Sequence, residues 1–536
     1  MMKPAPLRPS AGQMTILALA ATAVFAPVAS AASCSSSLDS KTFSTAEQLR
    51  ADNARLAGYG LRLAGTRQHD AELAWLTSQL KAVPGLKVRS RAFSVRRWMP
   101  TTATKGRPDL VKAGSLTVGA ATVPMAGAVA YSLPTPMTGV TAPLTYVPRG
   151  EAITVGNAAG RIVVTEVPSS SLPYAIFGAI KHYLTPGLPL QGKYERPYLA
   201  TFDQVLIDAG KAGAAGVVFV WDVPGAQVRG YFDPHSGTRF RVPAVFVGGE
   251  QAEVLKTAGG AGTPGTITVR ARWDRARAHD LFATLPGRSK ERVIVLSHTD
   301  GSNWVQENGP VGVLALARAM AKLPQRCRQR TIEIALTSGH LGFRYDSTYD
   351  LAARLDRDYD RGSVAFAVSL EHLGSREILP SGGATNELRY TGRGELIGWS
   401  VGEESKPLVD ASILAVKRRR LARTAVVKGI GIPTAGQAPS VCSFGGIGSS
   451  LQARLIPGLA TITGPWSLWA PSFGERAVDF KRMRTEILAQ GDVIRALDRT
   501  SRAAIAGNYL AERRERRAGA VRSCPSDLPV AEAPAS

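Results

Sequence analysis

Apolar positions recur at helical spacing twice near the start of the chain. The run STAEQLRADNARLAGYG opens with Ser44-x-x-Glu47, the spacing of a capping box. The next stretch turns at Ala64-Gly65-Thr66 and then places Leu73, Leu76 and Leu80 on one helical face before Pro84-Gly85 stops it. His69, near the start of that helix, reads as a solvent-facing or capping residue. Leu86 to Val95 follows as a strand. From about Pro100 to Arg275 the pattern shortens into β-rich segments broken by Pro and Gly, such as GSLTVGAATV, GRIVVTEVP and GTITVRARW, with one clear helix in TFDQVLIDAGKAGA. This texture predicts a self-contained domain inserted into another.

From His279 onward strands alternate with helices: DLFATLPG, RVIVLSH, the helix after Glu307, TIEIALTSG, a helix near Ser347 to Arg357, and VAFAVSLEHLG. ELIGWSV, LVDASILAVKRRRLA and GLATITG continue the alternation, and VDFKRMRTEILAQGDVIRAL forms a final helix. Such alternation predicts an α/β fold, a largely parallel sheet covered by helices on both faces. Beyond Arg522 the chain is rich in Pro and Ala, and residues 523 to 536 are expected to be disordered.

The candidate chemistry lies between Val293 and Gly309. The apolar residues Val293 to Leu296 run into Ser297-His298-Thr299-Asp300-Gly301, and Glu307 precedes a helix. A strand, loop and helix in that order put His298, Asp300 and Glu307 at the carboxyl end of a sheet strand, where sites of open α/β sheets lie. Imidazole and carboxylate bind divalent transition metals, with a second carboxylate orienting the histidine. There is no G-x-S-x-G nucleophile elbow and no Walker loop. The one G-x-G-x-x-G, Gly260 to Gly265, follows a helical run and precedes a strand, the wrong order for a dinucleotide site.

At 536 residues, 44% of them hydrophobic, the chain is long enough for more than one domain. Lys3 and Arg8 precede the apolar run MTILALAATAVFA, and Ala29-Ser30-Ala31 offers a cleavage site, so residues 1 to 31 read as a secretory signal cleaved after Ala31. A secreted, extracellular or cell-envelope location follows. Ala31-Ala32-Ser33-Cys34 is a poor lipoprotein box. Cys34, Cys327, Cys442 and Cys524 have no zinc-finger spacing and predict two disulfides of open connectivity. The net charge of +23, with the runs Lys417 to Arg423 and Arg513 to Arg517, suits solvated helix faces and attraction to anionic cell-surface polymers. Nucleic acid is not expected, because the basic runs lack interleaved aromatics.

The order of parts resembles a known family. Residues 45 to 98 with about 276 to 500 are similar to the co-catalytic zinc exopeptidases of metallopeptidase family 28. The carriers are LRLAGTRQHDAELAWLTSQLKAVPGLKVRSRAF, AHDLFATLPG and RVIVLSHTDG. Residues 105 to 270 resemble the protease-associated domain that many members carry as an insert, through GRIVV, DAGKAGAAGVVFV and RVPAVFVGG. The resemblance implies a three-layer α/β/α sandwich with a mostly parallel central sheet, one or two zinc ions, and a peptide or protein substrate attacked at its amino terminus.

Carried over residue by residue, the resemblance implies His298 as a metal ligand, Asp300 as its orienting carboxylate and Glu307 in the place of the bridging aspartate. His340 and Glu371 fall at further ligand positions, with His372 beside Glu371. The family's general-base glutamate corresponds to Gly339, and its last histidine to a position near Trp469. Two accounts follow. In one, His298, Glu307, His340 and Glu371 form a rearranged zinc site, with Glu371, His372 or Asp300 transferring the proton. In the other, the protein is a catalytically inactive relative that binds a peptide or a cell-surface partner. Trp466, Trp469 and Phe473 either line an apolar pocket or belong to the core.

Overall fold

The computed structural model describes residues 1–2, 5, 34–167, 171–194, 202–233, 239–343, 346–382, 386–433, 439, 441–520 and 524. The expected signal peptide and tail therefore lie outside the described residues, apart from Met1, Met2, Ala5 and Cys524. The chain divides into two compact units, Met1–Ser35 and Ser36–Ser536, and the regular elements all belong to the second.

Within that unit, among the described residues, a nine-stranded sheet has at its middle Thr331–Thr337, Arg292–His298, Val364–Ser369 and Gly458–Ile462, all parallel. The expected parallel sheet is found there, whereas both flanks are antiparallel: Lys87–Pro100 and Ala271–Leu285 on one side, Ile397–Val401 against Gly458–Ile462 on the other. Alternate residues of one strand feed two cores. Val293 and Val295 pack in one cluster with the helices Gly309–Ala321 and Phe480–Leu497, while Ile294 and Leu296 pack in another with the helix Ser347–Asp360. A strand buried on both faces reads as an unbroken apolar run for this reason.

The first helix, Ala46–Ala57, begins one residue later than its expected box: Thr45 is the N-cap, and Thr45 and Gln48 cap each other. The strand expected to end at Val95 runs on to Pro100, because it pairs along its whole length with Ala271–Leu285, from Lys87↔Thr284 to Pro100↔Ala271. These two strands lead the chain out of the large sheet and back.

Between them lies an eight-stranded sheet whose strands all fall between Gly114 and Val269. Besides the expected helix at Asp203–Lys211 it carries another of the same length, Ala252–Gly260, and shorter helical turns such as Val155–Ala158 and Gly225–Val228. From the same stretch of chain, Lys181–Leu184 pairs with Thr424–Val427 in the nine-stranded sheet, covering backbone groups that would otherwise be unpaired at its edge.

Cys442 and Cys524 form a disulfide, and no described cysteine is free. Among the described residues no helix is long and apolar enough to cross a membrane. The basic runs are not simply solvated faces. Arg513 is buried and pairs with Asp356 and Asp360 at 2.7 Å each, and Arg419 pairs with Asp492 at 2.8 Å. Much of the positive charge in these runs is neutralised within the fold.

Candidate metal centre

Three neighbouring parallel strands end at one place. His298 closes Arg292–His298, His340 follows Thr331–Thr337, and Glu371 and His372 follow Val364–Ser369. Glu307 reaches the same place from the residue pair before the helix Gly309–Ala321. The ring centroids of His298 and His340 are 4.5 Å apart. His298 Nε2 lies 3.7 Å from Glu371 Oε2 and 3.8 Å from Glu307 Oε2, and His372 Nε2 lies 3.3 Å from Glu307 Oε2.

The expected ligands His298, Glu307, His340 and Glu371, joined by His372, fall into two overlapping groups: His298, His340 and Glu371 in one, Glu307, Glu371 and His372 in the other, with donor atoms in each within 4.8 Å of one another. His298, Asp300, Glu307 and Glu371 are fully buried.

Each side chain is held from behind. Asp300 stands 3.4 Å from His298 Nδ1, and the Leu341 N–H donates to its other oxygen. Asp346 accepts from His340 Nδ1 at 2.9 Å, and the His372 Nδ1–H donates to the Thr463 carbonyl at 2.8 Å. Both contacts orient an imidazole so that its Nε2 faces inward. Glu371 Oε1 accepts the Ile447 N–H at 3.0 Å, and a Cβ on Gly446 would collide with the Glu371 carboxylate. His372 has a left-handed backbone, φ 56°, and its own N–H donates to Glu307 Oε1 at 3.2 Å.

Gly339, the position to which the resemblance assigns the family's general-base glutamate, also has positive φ, 91°, a conformation that suits glycine.

Beneath the centre lies a buried polar layer that sequence reasoning missed. The Arg62 guanidinium donates to the Glu307 carbonyl at 2.7 Å and pairs with Glu72 at 3.0 Å. His69 is buried, not solvent-facing, with Nε2 2.8 Å from Thr299 Oγ1. Asp346 and Thr463 were missed too. Asp346 carries the N-cap signal of the helix Ser347–Asp360, six residues after His340, and could have been found; Thr463 carries no such signal.

Burial pushes Glu371 up to about 7, and burial together with the like charge of Glu371 pushes Glu307 well above the carboxylate range. Burial also lowers His298, leaving it a neutral imidazole, while Asp300, despite its own burial, is held at about 2 by His298. For His340 burial works against the charged form, but Asp346 outweighs it and lifts the group to about 9.

Among the described residues, His298 Nε2, Glu307 Oε2 and Glu371 Oε2 are buried without a hydrogen-bond partner. Two crowded buried carboxylates and a neutral imidazole, with lone pairs facing one point, are stabilised by a divalent cation. Separations of 3.3 to 3.8 Å between donors suit atoms that share an ion at about 2 Å.

No family model matches the chain, and no curated protein matches it. Solved structures do. The zinc aminopeptidase BSAP from Bacillus subtilis is 15% identical with a TM-score of 0.57, over 86% of this chain and 98% of that one. The chain has the zinc aminopeptidase fold. An aminopeptidase from Aneurinibacillus sp. strain AM-1 is 17% identical at a TM-score of 0.52, over 84% of this chain and 93% of that one. A peptidase M28 precursor from Shewanella amazonensis SB2B is 15% identical at 0.55, over 84% and 96%. In this fold Trp466 and Trp469 are core residues, 7% and 1% exposed, so they do not line an open pocket.

Proposed function

We propose that the protein is a secreted zinc-dependent exopeptidase of aminopeptidase type. The observation that carries this reading is the group of buried, unpartnered donor atoms on His298, Glu307 and Glu371 at the strand ends of a zinc-aminopeptidase fold. His298, His340 and Glu371 hold the principal ion. Bound there, zinc would polarise the scissile carbonyl and make hydroxide available near neutral pH.

The chain's own residues supply the rest. Asp300 is committed to orienting His298, so proton transfer falls to the Glu307–His372 pair. Thr463 fixes the His372 tautomer with Nε2 as the acceptor that faces Glu307. A second ion on Glu307, Glu371 and His372 is the alternative that the same distances favour. Residues 105 to 270 are the protease-associated insert of this reading, and the disulfides suit an oxidising location outside the cytoplasm.

Metal analysis of undialysed protein tests the reading. One to two zinc equivalents with release of amino-terminal residues from peptides is the expected result. Less than about a tenth of an equivalent removes the enzymatic reading and leaves the binding-protein account.

A further inference from the structure

The paired strands Lys87–Pro100 and Ala271–Leu285 form an antiparallel ribbon whose two faces treat charge in opposite ways. On one face two arginines meet a carboxylate directly across: Arg91 opposes Asp280 at 2.8 Å, and Arg97 opposes Asp274 at 2.6 Å. On the other face Arg96 stands directly opposite Arg275, and Arg277 projects from the same face two residues further on. Like charges directly opposite one another destabilise a strand pair. All three are exposed, and Arg275 and Arg277 have no ion pair among the described residues.

Trp273, two residues before Arg275 and on the same face, joins this surface to its surroundings. The guanidinium carbons of Arg96 and Arg239 lie 5.8 and 5.4 Å from its ring centroid, so Arg239 adds a further exposed cation from the chain between the two strands. Tyr131 stacks on the same ring at 5.8 Å, and Phe343 meets it edge-on at 4.7 Å. Phe343 lies just beyond His340 in the chain, and between them the Leu341 N–H donates to Asp300 while its carbonyl accepts from the Tyr131 hydroxyl. The cationic surface therefore borders the metal centre.

We infer that this surface docks an acidic, extended segment of polypeptide. Alternate side chains of an extended chain project from one side about 6.8 Å apart, the spacing at which Arg275 and Arg277 leave their strand. Carboxylates at alternate positions meet successive guanidiniums, each able to hold a carboxylate through two parallel hydrogen bonds. An anion there also relieves the repulsion between Arg96 and Arg275. Stacked nucleic-acid bases do not suit the surface, because Tyr131, Arg96 and Arg239 already surround the Trp273 ring. The inference rests on the exopeptidase reading only in making the acidic segment part of the substrate, downstream of the residue released.

The test is fluorescence anisotropy of the full mature protein at low salt, with chelator present to prevent cleavage, using labelled Leu-Ala-Glu-Ala-Glu-Ala-Glu and its glutamine counterpart. Zinc content is measured before chelation. The expected result is binding of the acidic peptide at least about tenfold tighter than the glutamine one. Arg275→Gln with Arg277→Gln should bring that ratio to within about twofold of unity. Lys211→Gln with Lys406→Gln, an equal loss of charge at exposed lysines elsewhere, should leave it in place. Equal binding of both peptides by the wild type overturns the inference, as does a preference that survives the arginine changes or that the lysine changes abolish equally. Polyphosphate that binds more tightly than the acidic peptide through the same arginines would overturn it too, assigning the surface to phosphate polymers. The acidic preference in protein isolated without zinc would remove the exopeptidase reading and leave the docking surface standing; bound zinc without that preference would do the reverse.

Discussion

His372 Nε2 lies 3.3 Å from Glu307 Oε2, and the His372 N–H also donates to the same carboxylate at 3.2 Å across 65 residues of sequence. One residue thus grips Glu307 by backbone and side chain together. His372→Gln keeps the backbone contact and removes the imidazole. If the ring transfers a proton, zinc content stays at the wild-type value while kcat falls by about two to four orders of magnitude. Loss of one of two zinc equivalents in the same variant would assign His372 to a second ion instead, and an unchanged kcat would remove it from the mechanism.

Asp346 contributes both oxygens: one accepts from His340 Nδ1 and the other from the Thr348 N–H at the helix start. Asp346→Asn retains the helix cap but weakens the orientation of His340. Zinc affinity should drop about 10- to 100-fold, measured by competition with a chromophoric chelator, with little change in unfolding midpoint. Unchanged affinity would show that His340 is not a ligand.

Arg62 and Glu72 form a fully buried ion pair, in which burial lowers the guanidinium and pushes the carboxyl up to about 8 against their mutual attraction. Arg62→Met leaves Glu72 buried without its partner and should cost about 3–5 kcal/mol in urea unfolding; the double change with Glu72→Met should recover most of it. Neither variant restores the hydrogen bond to the Glu307 carbonyl, so both should bind zinc more weakly than the wild type. Wild-type zinc affinity in the refolded double variant would show that Arg62 serves stability alone.

Asp356 gathers Arg513 and Arg516, at 2.7 and 2.6 Å. Burial alone would raise its pKa, but the arginines outweigh burial and depress it below its ordinary value of 3.8. A depressed carboxyl adds stability that is complete above the ordinary value and is lost as pH falls through the folded one. The stability difference between the wild type and Arg516→Met should therefore be constant near neutral pH and narrow as pH falls below about 4. A gap that widens on acidification would contradict the pairing.

How much of this could be read from the chain varies by element. Val293 to Leu296 announce a doubly buried strand because both faces of that strand are core, and the spacing of Leu73, Leu76 and Leu80 announces a helix because one face is. The extension of the strand to Pro100 could not be read, since its partner lies at Ala271. The same limit hid the polar layer around Arg62 and His69, which in sequence look like the exposed start of a helix.

By itself the sequence determined which residues are chemically able to meet: His298, Glu307, His340, Glu371 and His372 fall at the ends of successive apolar strands or at the start of a helix, and side-chain alternation and strand direction then send them to one edge. Only the tertiary structure decided how they divide. It joined Glu307 to His372 and not to His340, placed Thr463 behind His372, and set Arg239 over the ring of Trp273. Local pattern reports the face a residue buries, whereas the partner on that face is set by packing between segments far apart in the chain, which periodicity does not encode.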